Sequence, residues 1–157
     1  MKNIILPVFI LMVIFSSCLK STKCDFKACD VVAPASEIQA VQNYLSSNSI
    51  TAIQHCSGLF YTIDNPGTGK NPDGCSSVSV TYVGKLTNGS IFDQHSSAIN
   101  FSLGGLITSW RAGIPILKEG GRIHLYVPPT LGYGSQQNGT IPPNSILIFD
   151  ITLVAVQ

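Results

Sequence analysis

The chain has 157 residues, 45% of them apolar and only 11% charged. Soluble domains average roughly a quarter charged residues, so a chain this apolar can bury a core and is not disordered, and its length suits one domain. Nine Lys and Arg against eight Asp and Glu give a formal net charge of +1 with no basic cluster, which argues against a nucleic-acid partner held through phosphate contacts.

In chain order, Met1-Lys2-Asn3 precede an apolar run from Ile4 to Phe15 and then Ser16-Ser17-Cys18. The run is shorter than the about 20 residues of a membrane span, and its charged start and small-residue end read as a secretory signal peptide over residues 1–17. Ser16-Ser17-Cys18 resembles the lipobox of bacterial lipoproteins, although Phe15 stands where that family usually has Leu. The resemblance implies acylation of Cys18 and a lipid anchor, since each buried acyl methylene contributes about 0.8 kcal/mol. The expected location is the cell envelope, lipid-anchored and facing the periplasm from the outer membrane. The plainer alternative is a secreted protein with a spare thiol.

Four further cysteines, Cys24, Cys29, Cys56 and Cys75, suit two disulfides in an exported chain, with three pairings open. The local pairing, Cys24 with Cys29 and Cys56 with Cys75, is the working expectation. No Cys-x-x-Cys occurs, and His55, His95 and His124 lie at no ligand spacing from the thiols, so no metal and no other cofactor is expected.

Residues 18–34 lack apolar periodicity and read as a tether. Ser36 can cap a helix in which Ile38, Val41, Gln42 and Leu45 follow three-and-four spacing, ending near Ser46 to Asn48, so 35–57 reads as an N-terminal helix and connector. From Gly58 the period changes to two. Leu59, Tyr61 and Ile63 alternate with Phe60 and Thr62, and Asn65-Pro66-Gly67 and Asn71-Pro72-Asp73-Gly74 supply turns. Val78, Val80 and Tyr82 share the inward face of the next strand, and Asn88-Gly89 predicts a hairpin over 77–93. Ile123, Leu125 and Val127 mark a strand stopped by Pro128-Pro129, with His124 on its outer face. Leu147, Phe149, Ile151 and Leu153 share one face of a C-terminal strand, and Asp150 interrupts the other. Only Thr108 to Lys118 offers a second helix. Gly113 and Pro115 make it poor by propensity, so burial through Trp110 must hold it.

No Gly-x-Ser-x-Gly, no His-Glu-x-x-His and no nucleotide fingerprint is present, and the only glutamates are Glu37 and Glu119. What recurs is aromatic residues at strand ends: Tyr82, Phe92, Phe101, Trp110, Tyr133 and Phe149. They make either an ordinary core or an apolar pocket with a few polar handles.

The blocks Val78 to Asp93, Phe101 to Gly104, Ile107 to Trp110, Gly120 to Pro129, Leu131 to Gly134 and Ile141 to Asp150 resemble, in order, the FKBP-type peptidyl-prolyl isomerases. The resemblance runs from about Gly58 to Val156 and marks 58–157 as the isomerase domain. It implies an α+β fold, an antiparallel sheet curled around one short helix, with the N-terminal helix and lipoprotein leader added in front. It implies a substrate pocket with Trp110 as floor and Phe92, Phe101, Leu106, Ile107 and Phe149 with Tyr82 as walls. Tyr133 would offer its hydroxyl and Ile141 its backbone N–H to peptide carbonyls, while Asp93 would orient Tyr82 and face the twisted amide. Asp93, Tyr82 and Tyr133 are thus the expected catalytic residues. The implied partners are proline-containing segments of exported proteins, with macrolide-type inhibitors as further candidate ligands.

Three departures stand out. The loop holding Gly104-Gly105-Leu106 is short. Ser109 replaces a usual glycine and Arg111 a common acidic residue, both expected at the pocket rim. Residues 94–100 hold no arginine to pair with Asp93. The implied activity is acceleration of X-Pro isomerisation in exported proteins. A peptide-binding or chaperone-like module with incidental activity is the main rival, and a thiol-redox protein using Cys24 and Cys29 the second.

Overall fold

The computed structural model describes residues 24–157. The expected signal peptide, Cys18 and the first part of the expected tether lie outside the described residues. Eight regular elements follow in order: α1 (Ala35–Ser47), β1 (Ile53–Gln54), β2 (Phe60–Asn65), β3 (Ser77–Leu86), β4 (Ile91–Ser102), α2 (Thr108–Gly113), β5 (Arg122–Val127) and β6 (Leu147–Val156). Three short 3-10 turns lie at Leu103–Gly105, Ile114–Ile116 and Pro129–Leu131. Among the described residues no helix is long and apolar enough to cross a membrane.

The six strands form one antiparallel sheet in the order β1-β2-β5-β6-β3-β4. This corrects the expectation of a sheet curled around one short helix. The order is open, β1 and β4 each have a neighbour on one side only, and no ladder joins them. Period-two alternation assigns side chains to faces but carries no information on which strands end a sheet. The helices also divide: α2 and the turn after it pack on one face, while α1 covers part of the other.

The hairpin forms around Asn88-Gly89, where Gly89 takes φ +85° and the Leu86 N–H donates to the Ser90 carbonyl at 2.9 Å. Val78, Val80 and Tyr82 are buried on the inward face of β3, as are Leu147, Phe149, Ile151 and Leu153 of β6. β2 buries apolar side chains on both faces. Tyr61 joins the main core, while Phe60, cross-strand from Tyr126, packs with Val41 and Leu45 of α1. The α1 cap differs from expectation: Pro34 precedes the helix with no side-chain cap, and Ser36 lies within the first turn. The tie is tertiary, because Glu37 accepts from the Thr130 N–H at 2.8 Å and from its hydroxyl at 2.7 Å.

Helix α2 stops at Gly113, and Ile114-Pro115-Ile116 continues as a 3-10 turn, since proline has no N–H for an α-helical bond. Gly113 is also required by packing, as a Cβ there would lie 2.8 Å from both Leu125 methyls. The disulfides correct the local pairing: Cys24 joins Cys75 and Cys29 joins Cys56. Residues 24–34 are therefore stapled to the body, and Phe26 packs against the main core. Sequence distance misleads here because the backbone brings 24 beside 75, with Cα atoms 5.6 Å apart.

Candidate active site

Strands β3, β4 and β6, the start of α2 and the loop after β5 enclose a cavity of about 230 Å³. Trp110 is its floor and is 4% exposed. Three aromatic rings meet the indole edge-on: Tyr82 at 5.0 Å, Phe149 at 5.4 Å and Phe101 at 5.8 Å between centroids, all within 5° of perpendicular. Phe92 meets Phe149 the same way at 5.5 Å. Edge-to-face contacts each add about 0.5–1.5 kcal/mol beyond area burial, so the rings hold one another in place. Gly84 makes room for them, because a Cβ at that position would lie 2.6 Å from Phe92.

Polar groups are few. The Tyr82 hydroxyl donates to Asp93 Oδ2 at 2.5 Å, across the β3–β4 ladder that starts at the hairpin. Burial pushes the Tyr82 hydroxyl well above the usual tyrosine range, and the bond to Asp93 and its charge push the same way. The Tyr133 hydroxyl is also raised, by burial first and by the Asp93 charge second. Both phenols therefore keep their protons through neutral pH and remain donors.

Tyr82, Phe92, Asp93, Phe101, Leu106, Ile107, Trp110, Tyr133 and Phe149 are brought together around the one cavity. Ile141 is placed otherwise. Its side chain is buried in an adjoining hollow of about 200 Å³ that shares Phe92, Asp93 and Tyr133 with the main pocket. Its N–H donates to the Asn138 carbonyl at 2.9 Å and is not on offer to a peptide. The backbone donor that sequence reasoning missed is Ile107. Its carbonyl starts α2 by accepting from Trp110 and Arg111, while its own N–H has no acceptor among the described residues. The first N–H groups of a helix lack partners by construction, which was the available signal.

The two rim departures are also relocated. Ser109 is fully buried, and its hydroxyl has no partner among the described residues, as is true of the Trp110 indole N–H. Arg111 points away from the pocket, lying 4.0 Å over the Phe26 ring and donating through Nε to the Gly74 carbonyl at 3.3 Å. The fold does bring His55 beside Cys29 and Cys56, and Asp73 beside Cys24 and Cys75, at distances a metal ion could bridge. In both groups the thiols are joined as disulfides.

An aromatic box with a phenol on a carboxylate and two further donors at its edge is chemically suited to a small apolar ring and the carbonyls beside it. Residues 69–154, more than half of the chain, match the family described as FKBP-type peptidyl-prolyl cis-trans isomerase. The chain belongs to that family. It is 41% identical over 105 residues to a probable FKBP-type peptidyl-prolyl cis-trans isomerase of Haemophilus influenzae, covering 64% of this chain and 44% of that one. It is 39% identical over 103 residues to the isomerase FkpA of Escherichia coli, covering 64% and 38%. The chain thus aligns with less than half the length of these curated relatives. Among solved structures, a peptidyl-prolyl isomerase of Pseudomonas syringae superposes with a TM-score of 0.69 at 31% identity, covering 80% of this chain and 97% of its own. Escherichia coli FkpA superposes at 0.70 and 33% identity, covering 78% and 60%.

Proposed function

We propose that the protein is a peptidyl-prolyl cis-trans isomerase acting on X-Pro bonds of exported proteins. Twisting the amide costs about 18–20 kcal/mol because its resonance is lost. A dry aromatic box that grips the proline ring, with donors set to meet the flanking carbonyls, favours the twisted state over either planar one. Trp110 is the floor of the proline site and Phe92, Phe101, Leu106, Ile107 and Phe149 its walls. Tyr133 gives a side-chain donor and Ile107 a backbone donor. Asp93 is held by the Tyr82 hydroxyl and sets the field at the twisting amide. The single observation that carries the reading is the closure of this box around the Tyr82–Asp93 pair.

Residues 1–17 act as the export signal, Cys18 carries the lipid, and 58–157 form the catalytic domain behind a tether and α1. Two disulfides support an oxidising compartment, as expected of the periplasm. The lipid anchor rests on Ser16-Ser17-Cys18, and macrolide-type inhibitors are candidate ligands of the aromatic box. The disulfide-bonded protein is expected to accelerate cis-to-trans conversion of a short peptide with an apolar residue before proline, in proportion to enzyme concentration. A folded protein that binds this peptide without accelerating it would point to the peptide-binding module instead. Metabolic labelling with a radiolabelled fatty acid tests the anchor: label that persists in a Cys18→Ser chain excludes it.

A further inference from the structure

We propose that His95, which lies outside the pocket, is a positioning residue that holds the Tyr82 ring so that its hydroxyl stays on Asp93. The inference rests on the isomerase reading above. Tyr82 has three aromatic neighbours, and two of them, Trp110 and Phe101, line the pocket. The third is His95, 5.6 Å away with its ring tilted by 38°, and it takes no part in the pocket lining. Tyr82 is only 6% exposed although β4 is an edge strand, and His95 is itself exposed.

The register explains why this one residue matters. From the hairpin, Gly84 faces Asp93, Val83 faces Gln94 and Tyr82 faces His95. The pairing then jumps, and Val80 faces Ile99, so residues 96–98 have no partner on β3. His95 is thus the last paired residue before the irregularity and the cross-strand neighbour of the Tyr82 ring. Directly opposed residues project on the same face with Cβ atoms about 4.5–5.5 Å apart. Asp93, two residues earlier on β4, shares that face. Tyr82 and His95 lie side by side with their rings tilted, while the phenol reaches along the ladder to Asp93 at 2.5 Å. A tyrosine ring swings on two bonds, and Trp110 and Phe101 constrain it only from the pocket side. The imidazole closes the remaining side, where the edge strand offers no further ladder.

The expected signature is in turnover rather than affinity. His95→Ala should lower kcat about three- to tenfold, the scale of one lost aromatic pair, and leave KM within about twofold. His95→Phe should restore the rate, because the ring and not the imidazole nitrogens supplies the support. In a Tyr82→Phe background His95→Ala should cost nothing more, since no hydroxyl remains to be positioned. Exchange of the Tyr82 hydroxyl proton, followed by NMR without peptide, should be slow in the wild type, faster in His95→Ala and slow again in His95→Phe. Unchanged hydroxyl exchange in His95→Ala, or an equal loss of kcat in the Tyr82→Phe background, would overturn the proposal. An inactive wild type would sink the isomerase reading alone, because the exchange measurement would still decide whether His95 holds the ring.

Discussion

On one face of the sheet Tyr61, Leu125 and Phe149 belong to the core that surrounds the aromatic pocket. On the other, Phe60, Tyr126 and Ile148 sit under α1 and give way along the same strands to Asp64, His124, Arg122 and Asp150. Arg122 grips Asp150 with two bonds, Nε to Oδ1 at 2.9 Å and Nη2 to Oδ2 at 2.6 Å, and His124 Nε2 lies 2.9 Å from Asp64. On the pocket face the buried Tyr82 carries its hydroxyl to a single partner, Asp93 at the rim. The outer face keeps its charges in water, where screening makes an ion pair worth about 0.2–1 kcal/mol. The same strands thus carry a site that depends on geometry and a network that only tunes stability.

Changes on the pocket face should have the largest effect. Trp110→Ala removes the shared edge-to-face partner of three rings and should cost about 3–5 kcal/mol of stability, with isomerase activity lost in the fraction that still folds. Denaturant unfolding and turnover, measured on the same preparation, separate the two losses. A variant that keeps most of its activity would show that the box is core and nothing more.

The staples at the edge of that face come next. Cys24–Cys75 closes 51 residues and Cys29–Cys56 closes 27, and loop-closure entropy assigns them about 4 and about 3.5 kcal/mol respectively. Replacing Cys24 and Cys75 together by Ala should therefore lower the urea midpoint slightly more than replacing Cys29 and Cys56. The first bridge also holds the segment in which Phe26 lies under Arg111, one residue past Trp110. Its loss should alter turnover more than loss of the second bridge does, and equal turnover in both variants would separate this segment from the pocket.

The smallest effect belongs to the outer face and depends on pH. The Arg122 bonds hold the Asp150 carboxyl below the usual carboxylate range, against the opposing effect of partial burial. A depressed carboxyl contributes stability that is fully present above its unfolded value of about 3.9 and lost as pH falls through the lower folded value. The wild type should lose its margin over Asp150→Asn as pH drops from neutral into that range, with isomerase activity at neutral pH unaffected. A margin that is constant with pH would remove Asp150 from the acid response.

How far these features were legible in the sequence depends on how local their causes are. The hairpin was legible because Asn88-Gly89 demands a positive φ at Gly89, and the inward faces of β3 and β6 because alternation places side chains directly. The aromatic residues of the pocket came from the family resemblance, and the fold gathers them around one cavity. The rim position of Arg111 and the disulfide pairing were misplaced because each depends on what a distant segment brings alongside: Phe26 and Gly74 for Arg111, Cys75 for Cys24. The Ile141 N–H is instead taken locally, by the Asn138 carbonyl three residues earlier.

The sequence by itself determined the period of each element, the turns between them and the residue types available to a site, because backbone sterics and side-chain alternation act over a few residues. Only the tertiary structure decided that the sheet is open, that α1 and α2 lie on different faces, which way Arg111 points and which thiols meet. Those outcomes come from the competition of distant groups for the same space and the same hydrogen bonds, and it is settled when the chain packs.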